Sequence, residues 1–220
     1  MENNNKFLIE PVSVNEYISL YDIRYKEGKH YYDASRRTDK NLVATMDDEA
    51  FKIMLPDAVT ICIIIHLKDE EPKLLMFYEF RYPVGRYMLS TVAGLIDPED
   101  AKKPNPLEIA AIREIKEETG INFKTTDRIK VINPCAFSSP GMTDESNAFL
   151  SADIFLDDLS ELTHSGVVGS EMMKDFELLD VKSAKELYLS GRDKYGNQYS
   201  LATWVILAYF VMEQGDILNQ

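Results

Sequence analysis

The stretch "REIKEETG", Arg113 to Gly120, carries three carboxylates: Glu114, Glu117 and Glu118. On a helix, like charges spaced i,i+3 and i,i+4 cost roughly a few tenths of a kcal/mol per pair. A divalent cation would remove that cost, because Mg²⁺ takes carboxylate oxygens together with water and substrate phosphate. The chemistry such a set could perform is to hold a divalent cation, with its water, against a substrate phosphate. By itself the stretch fits a solvated, glutamate-rich helix face equally well.

A helix from Pro106 to Thr119 must position these groups. Asn105 is a suitable N-cap, Pro106 suits the first helical position, and Glu108 completes a variant capping box. Gly120 supplies a left-handed stop. At about 100° per residue, Ile109, Ile112 and Ile115 share one face. Glu114, Glu117 and Glu118 then gather opposite, beside Ala110 and Ala111. Two further helices are expected, through "VKSAKELYLSG" and from Ser200 to Gln214.

Strands are expected around these helices. The alternating "YISLYDIRYKEGKHYYDASRR" reads as a hairpin turning at Glu27-Gly28-Lys29. "DAVTICIIIHLK" is a β-branched run suited to a central strand, joined to "PKLLMFYEF" by Asp69-Glu70-Glu71. Later strands are expected at Arg128–Ile132, Ala148–Phe155 and Phe176–Leu179. Strands mixed with helices, without strict alternation, suggest a mixed sheet between helical layers. The hairpin's exposed edges need covering, and a second subunit is one way to cover them.

Bulk properties exclude several functions. The chain has 220 residues and a formal net charge of −13, so a general nucleic-acid surface is not expected. "MENNNKFLIEP" has no signal-peptide pattern, and the apolar run Leu201–Met212 is too short to span a bilayer. Cys62 and Cys135 read as buried thiols, which with the rest suggests a cytoplasmic protein. His30, His66 and His164 have no zinc-ligand spacing.

The flanks of "REIKEETG" add specificity. Arg113, Glu114, Ile115, Glu117, Glu118, Gly120 and Ile121, with "VAGLIDPED" upstream, resemble the Nudix box. Two positions depart from it: Asn105 stands where a spaced glutamate is usual, and "PEDAKKP" sets Gly94 farther from Arg113. Glu99 and Asp100 are the carboxylates available nearby. "FRYPVGRYMLSTVAGLID" and "SSPGMTDES" are similar to segments of ADP-ribose and ADP-sugar pyrophosphatases, with Ser90 where those carry a glutamate. With "HYYDASRR", the resemblance runs from about Tyr17 to the last helix.

The resemblance implies a Nudix α/β/α sandwich around a mixed sheet, with a small N-terminal antiparallel β layer. The layer would span 1–52 and dimerise, and in relatives it swaps across the dimer; the hydrolase domain would span 53–220. Glu114, Glu117, Glu118 and the Ala93 carbonyl would hold Mg²⁺ or Mn²⁺, and Arg113 would orient a carboxylate. Arg37 and Arg81 would contact phosphate, favoured over Arg36 and Arg86, and Tyr32 would stack on the base. A loop carboxylate, Glu171 ahead of Asp175, would take a proton from water. The implied activity is hydrolysis of ADP-ribose or an ADP-sugar to AMP and a sugar phosphate. The alternatives are GDP-mannose or another nucleotide sugar, and a nucleotide-sensing module of the same fold.

Overall fold

Apolar and polar residues alternate along Ser19–Ser35, the signature of strands with one face covered. They form β2 (Ser19–Lys26) and β3 (Lys29–Ser35), joined through Gly28 at φ 63°, with β1 (Leu8–Ser13) paired antiparallel to β2. The structure, a computed structural model, describes residues 7–167 and 171–218. Its internal contacts divide the chain into two units, the first running to Asp57 and taking in Cys135–Asn147, the second comprising Ala58–Pro134 and the chain from Ala148. In the first unit a short helix, α1 (Asp48–Lys52), is capped by the Asp47 side chain. Segment 135–147 is tied to β3 there, since Ala34 N–H donates to the Met142 carbonyl at 3.0 Å.

In the second unit the β-branched run becomes β4 (Ala58–Leu67), buried from Ala58 to Ile65. Beside it lie β5 (Lys73–Arg81), β6 (Arg86–Ser90) and β7 (Ala93–Leu95). Then follow α2 (Pro106–Thr119), β8 (Arg128–Phe137), β9 (Ser146–Leu156), β10 (Met173–Leu179), α3 (Val181–Ser190) and α4 (Leu201–Leu218). The mixed sheet runs β10-β5-β4-β9-β8, with β6 added to β5 and β7 to β4. The three later strands include the expected spans and extend beyond them.

Alternation along β4 and β5 splits their side chains between two cores. Val59, Ile61, Ile63, Leu75 and Phe77 pack with Ala110, Ala111 and Ile115 of α2. Cys62, Ile64, Leu74, Met76 and Tyr78 pack with Ile206, Leu207 and Phe210 of α4 and Ala184 of α3. Truncating a fully buried member such as Ile61 to alanine should cost about 2–5 kcal/mol. The sheet is thereby held rigidly against α2, the helix that carries the carboxylates. Among the described residues, no helix is long and apolar enough to cross a membrane.

The boundaries of α2 match those read from its sequence, with Gly120 left-handed at φ 77°. Its start differs from expectation. Asn105 is itself left-handed at φ 56° and makes no side-chain cap hydrogen bond, so no capping box forms with Glu108. Asparagine is one of the few residues that tolerates this conformation, and here that property prevails over capping.

Candidate active site

The inward face of α2 is formed by Ala110, Ala111, Glu114, Ile115, Glu118 and Thr119. Two of the three carboxylates therefore share the buried side with Ile115, correcting the expectation that they stand opposite the isoleucines. Ile109 and Ile112 are only partly covered. Glu114 and Glu118 are 7% and 3% exposed, and Glu117 lies at the rim.

Arg113 ties this face together. Its Nη1 donates to Glu114 Oε1 at 2.7 Å and to Glu117 Oε2 at 3.3 Å. Its Nη2 donates to the Leu95 carbonyl at 2.8 Å, and its Nε to Asp100 Oδ2 at 3.1 Å. Asp100 is buried; burial alone would raise its carboxyl, but the Arg113 and Lys103 bonds hold it below its ordinary range. Of the two acids in the inserted segment, Asp100 is thus the anchor for Arg113, whereas Glu99 pairs with Lys102 at 2.6 Å on the surface. Strand β7 passes close beside Glu114: a Cβ at Gly94 would lie 1.9 Å from Glu114 Oε1. Only glycine leaves room for the carboxylate there.

Glu118 accepts a hydrogen bond from the Ala93 N–H, which brings the expected Ala93 to the cluster. Its Oε2 is buried without a hydrogen-bond partner. Burial drives this carboxyl well above its ordinary value, and the charges of Glu114, Glu79 and Glu171 add to the effect. Burial likewise pushes Glu114 up to about 7; the Arg113 guanidinium opposes it, while Glu117 and Glu171 reinforce it. Behind the helix, His164 Nδ1 bonds the Glu118 carbonyl at 2.8 Å, and its ring stacks on Phe176. Burial lowers the His164 pKa, so the ring is neutral and donates through Nδ1.

Glu79 is the residue that sequence reasoning missed. It continues the face of β5 that carries Leu75 and Phe77, and it is 7% exposed. Ser90 donates to its Oε2 at 3.1 Å, and Arg81 Nη2 lies 2.6 Å from the same oxygen. The signal was present in the alternation Phe77-x-Glu79-x-Arg81, which carries two charges onto an inward face. Glu171 stands at this end of the sheet as well: Phe80 N–H donates to the Met172 carbonyl at 2.9 Å. Its carboxyl is raised by burial and by Glu117, against the pull of Arg81.

Asp175 is placed differently. It has φ 53° at a register shift between Lys174 and Glu177, and its carboxylate lies 3.6 Å from Lys174 Nζ. The strongest carboxylate influences on Glu114 and Glu118 include Glu171, whereas Asp175 acts on His164. Gly169 and Ser170, expected as a flexible approach to Glu171, fall outside the described residues.

Tyr32 and Arg37 belong to the first unit. Tyr32 is 54% exposed, while its neighbour Tyr31 lies on the other side of β3 and donates through its hydroxyl to the Gly141 carbonyl at 2.7 Å. Tyr31, Asp33, Met142 and Asp144 line a cavity of about 220 Å³ in this unit. Arg37, expected at substrate phosphate, is paired within its own unit, at 2.8 Å from Asp57 and 3.2 Å from Asp144. Arg36 lies 3.5 Å from Glu145. Arg81 is the more open guanidinium, its side chain 47% exposed against 11% for Arg37.

The donors on α2 suit a hard cation such as Mg²⁺ or Mn²⁺, which prefers carboxylate and carbonyl oxygen. Among the described residues no three acidic, imidazole or thiol groups stand ready around one point. One reason is visible: Arg113 occupies the Glu114 oxygen that points toward Gly94. Two features nevertheless fit a cation, namely the orphaned Glu118 Oε2 and the Glu114 carboxylate seated against the bare backbone of Gly94.

No protein-family model matches the chain. It is 28% identical over 150 residues to the ADP-ribose pyrophosphatase of Saccharomyces cerevisiae, covering 66% of this chain and 56% of that protein. With the ADP-ribose pyrophosphatase of Bacillus subtilis it shares 28% identity over 146 residues, 66% of this chain and 71% of the relative. An uncharacterized Nudix hydrolase of Schizosaccharomyces pombe is 29% identical over 142 residues, 63% of this chain and 59% of its own. The chain thus spans little more than half the length of these two yeast relatives. A crystal structure of an ADP compounds hydrolase shares the fold, with TM-score 0.57 and 16% identity over 96% of this chain and 95% of that one. In sequence the chain is thus similar to proteins named Nudix hydrolase and ADP-ribose pyrophosphatase, and in fold to an ADP compounds hydrolase.

Proposed function

We propose that the chain hydrolyses the diphosphate bond of ADP-ribose or a related ADP-sugar, releasing AMP and a sugar phosphate, with Mg²⁺ or Mn²⁺ as its cofactor. The observation that carries this reading is Glu118, a buried carboxylate with an unpartnered oxygen among like charges. Such a group costs stability and serves no packing purpose, which is the mark of a functional site. The relatives named for ADP-ribose pyrophosphatase activity supply the substrate class.

Glu114, Glu117, Glu118 and the Ala93 carbonyl are the proposed ligands. When bound, the cation neutralises diphosphate charge and makes water a better nucleophile. Arg113 holds Glu114 and Glu117 in one orientation and would yield the Glu114 oxygen it occupies as the site fills. Arg81, half exposed, offers a forked guanidinium to a phosphate. Glu171 accepts the proton of the attacking water, favoured over Asp175 because it shares the field of the α2 carboxylates.

In the first unit, Tyr32 is the proposed stacking surface for the base. Arg37 is assigned to holding Asp57 and Asp144 in place. The exposed Leu8, Val12 and Tyr17 suit the N-terminal layer, taken as residues 1–52, to cover a second subunit in a homodimer. Cys62 is a buried thiol, in keeping with a cytoplasmic protein.

The test is a panel of ADP-ribose, ADP-mannose, GDP-mannose and UDP-glucose with Mg²⁺, with products resolved by chromatography. AMP and ribose 5-phosphate from ADP-ribose are expected, with ADP-sugars preferred. Preferential cleavage of GDP-mannose would move the assignment to another nucleotide sugar, and tight binding without turnover would favour a sensing module.

A further inference from the structure

We propose that Glu79 is a cation-binding carboxylate of the α2 site, exchanging the Arg81 guanidinium for the metal when the site fills. The inference deepens the reading above and rests on it.

Two independent observations support it. The first is the position of Glu79. It ends the inward face of β5, directly beyond Phe77, where packing alone asks for another apolar side chain. Burying a carboxylate is costly unless the charge is matched, and here the match is incomplete. Its charged partner, Arg81, is nearly half exposed, and both Arg81 and Ser90 contact the same oxygen, Oε2. The contact is short, but a guanidinium half open to water can be exchanged at modest cost, since water solvates it when it leaves.

The second is Glu118. Its Oε2 is buried without a partner, and Glu79 is among the charges that act on it. A buried carboxylate from the sheet and one from the helix thus act on each other, each under-compensated. One divalent ion answers both deficits.

Ser90 explains why the carboxylate comes from β5. The resemblance to ADP-sugar pyrophosphatases expects a glutamate at position 90, and serine has no charge to offer a cation. In the β5–β6 pairing Phe77 faces Ser90 and Glu79 faces Met88, so Glu79 is the diagonal neighbour of Ser90 on the same face. Its carboxylate reaches the Ser90 hydroxyl and so occupies space next to the serine. Arg81 then connects two events. Released from Glu79, it becomes available to a substrate phosphate, which links cation binding to substrate binding.

The test is a Mn²⁺ titration of the substrate-free protein, reading free Mn²⁺ by electron paramagnetic resonance, on wild type, Glu79→Gln, Glu118→Gln and Arg81→Gln. Folding of each variant is checked by its melting curve in EDTA. Glu79→Gln should bind Mn²⁺ at least about 10-fold more weakly, or bind one ion fewer per chain. Arg81→Gln should bind it roughly 3-fold more tightly, because the competing cation is gone. Wild-type affinity and stoichiometry in Glu79→Gln would overturn the proposal. If Glu118→Gln weakens binding and Glu79→Gln does not, only the role of Glu79 falls; if neither weakens it, the metal-site reading of α2 falls too. Should Glu79→Gln not fold, Arg81→Gln decides: tighter binding supports the proposal, and equal or weaker binding overturns it.

Discussion

Arg113 and its neighbour Glu114 are bonded to each other along α2, Nη1 to Oε1 at 2.7 Å, while the same guanidinium reaches Asp100 and the Leu95 carbonyl. The arginine thus fixes a carboxylate of the candidate site to the loop that follows β7. Lysine offers a single point charge and cannot satisfy these directions at once. Arg113→Lys should lower kcat by about 10- to 100-fold, the scale of a misplaced catalytic group, with a smaller change in KM. Steady-state kinetics check this; unchanged kcat would show that Glu114 needs no such support.

Gly94 probes the same carboxylate from the other side. The Cβ of Gly94→Ala would lie 1.9 Å from Glu114 Oε1 and 2.0 Å from its Cδ. The far end of a glutamate can swing aside, so the fold should survive with a melting temperature within about 4 °C of wild type, the equivalent of about 1 kcal/mol. The displaced carboxylate should cost about 100-fold in kcat. Retained turnover would mean that Glu114 can work from a second position.

Asp33 gives a pH-dependent test in the first unit. Burial, reinforced by the charge of Asp144, raises its carboxyl to about 6. For a group whose pKa is raised by folding, the stabilisation is complete below the unfolded value near 3.8 and is lost as pH rises through about 6. Asp33→Asn removes that loss, so its melting temperature should gain on wild type between pH 4 and pH 7.5. A gain of roughly 1–2 °C is expected for a group beside an open cavity, where solvent screens the charge. Parallel melts at the two pH values check it, and a constant difference would contradict it.

Much of this fold was legible because its signals are local. Pro106 and Gly120 bracket α2, and the run of β-branched residues in β4 reads as a central strand at sight. The orientation of α2 was not legible. Ile109, Ile112 and Ile115 keep helical spacing, yet the sheet covers the side bearing Ala110, Ala111, Glu114 and Glu118. Small side chains let the helix approach closely, and the site then takes the carboxylates inward at a cost that periodicity cannot anticipate. Glu79 was hidden for a related reason: its importance depends on the pairing of β5 with β6 and on the approach of α2, both long-range. Asn105 was misread because the same residue type serves as a cap and as a left-handed turn.

The proton acceptor can be identified by comparing two amides. Glu171 acts electrostatically on Glu114 and Glu118, whereas Asp175 sits at the β10 irregularity beside Lys174. Glu171→Gln should reduce kcat by about 10²-fold or more and remove the acidic limb of the kcat–pH profile. Asp175→Asn should stay within about 3-fold of wild type. The reverse pattern would transfer the role to Asp175.

Glu118 carries the central claim, that the inward face of α2 is a cation site for hydrolysing a nucleotide diphosphate. The decisive measurement is turnover of ADP-ribose at saturating Mg²⁺ by wild type and Glu118→Gln, each with its melting curve in EDTA. The variant should lose at least about 100-fold in kcat. Its metal-free melting temperature should equal or exceed that of wild type, because a buried, unpartnered carboxylate has been removed. Wild-type turnover by a folded Glu118→Gln protein would contradict the account.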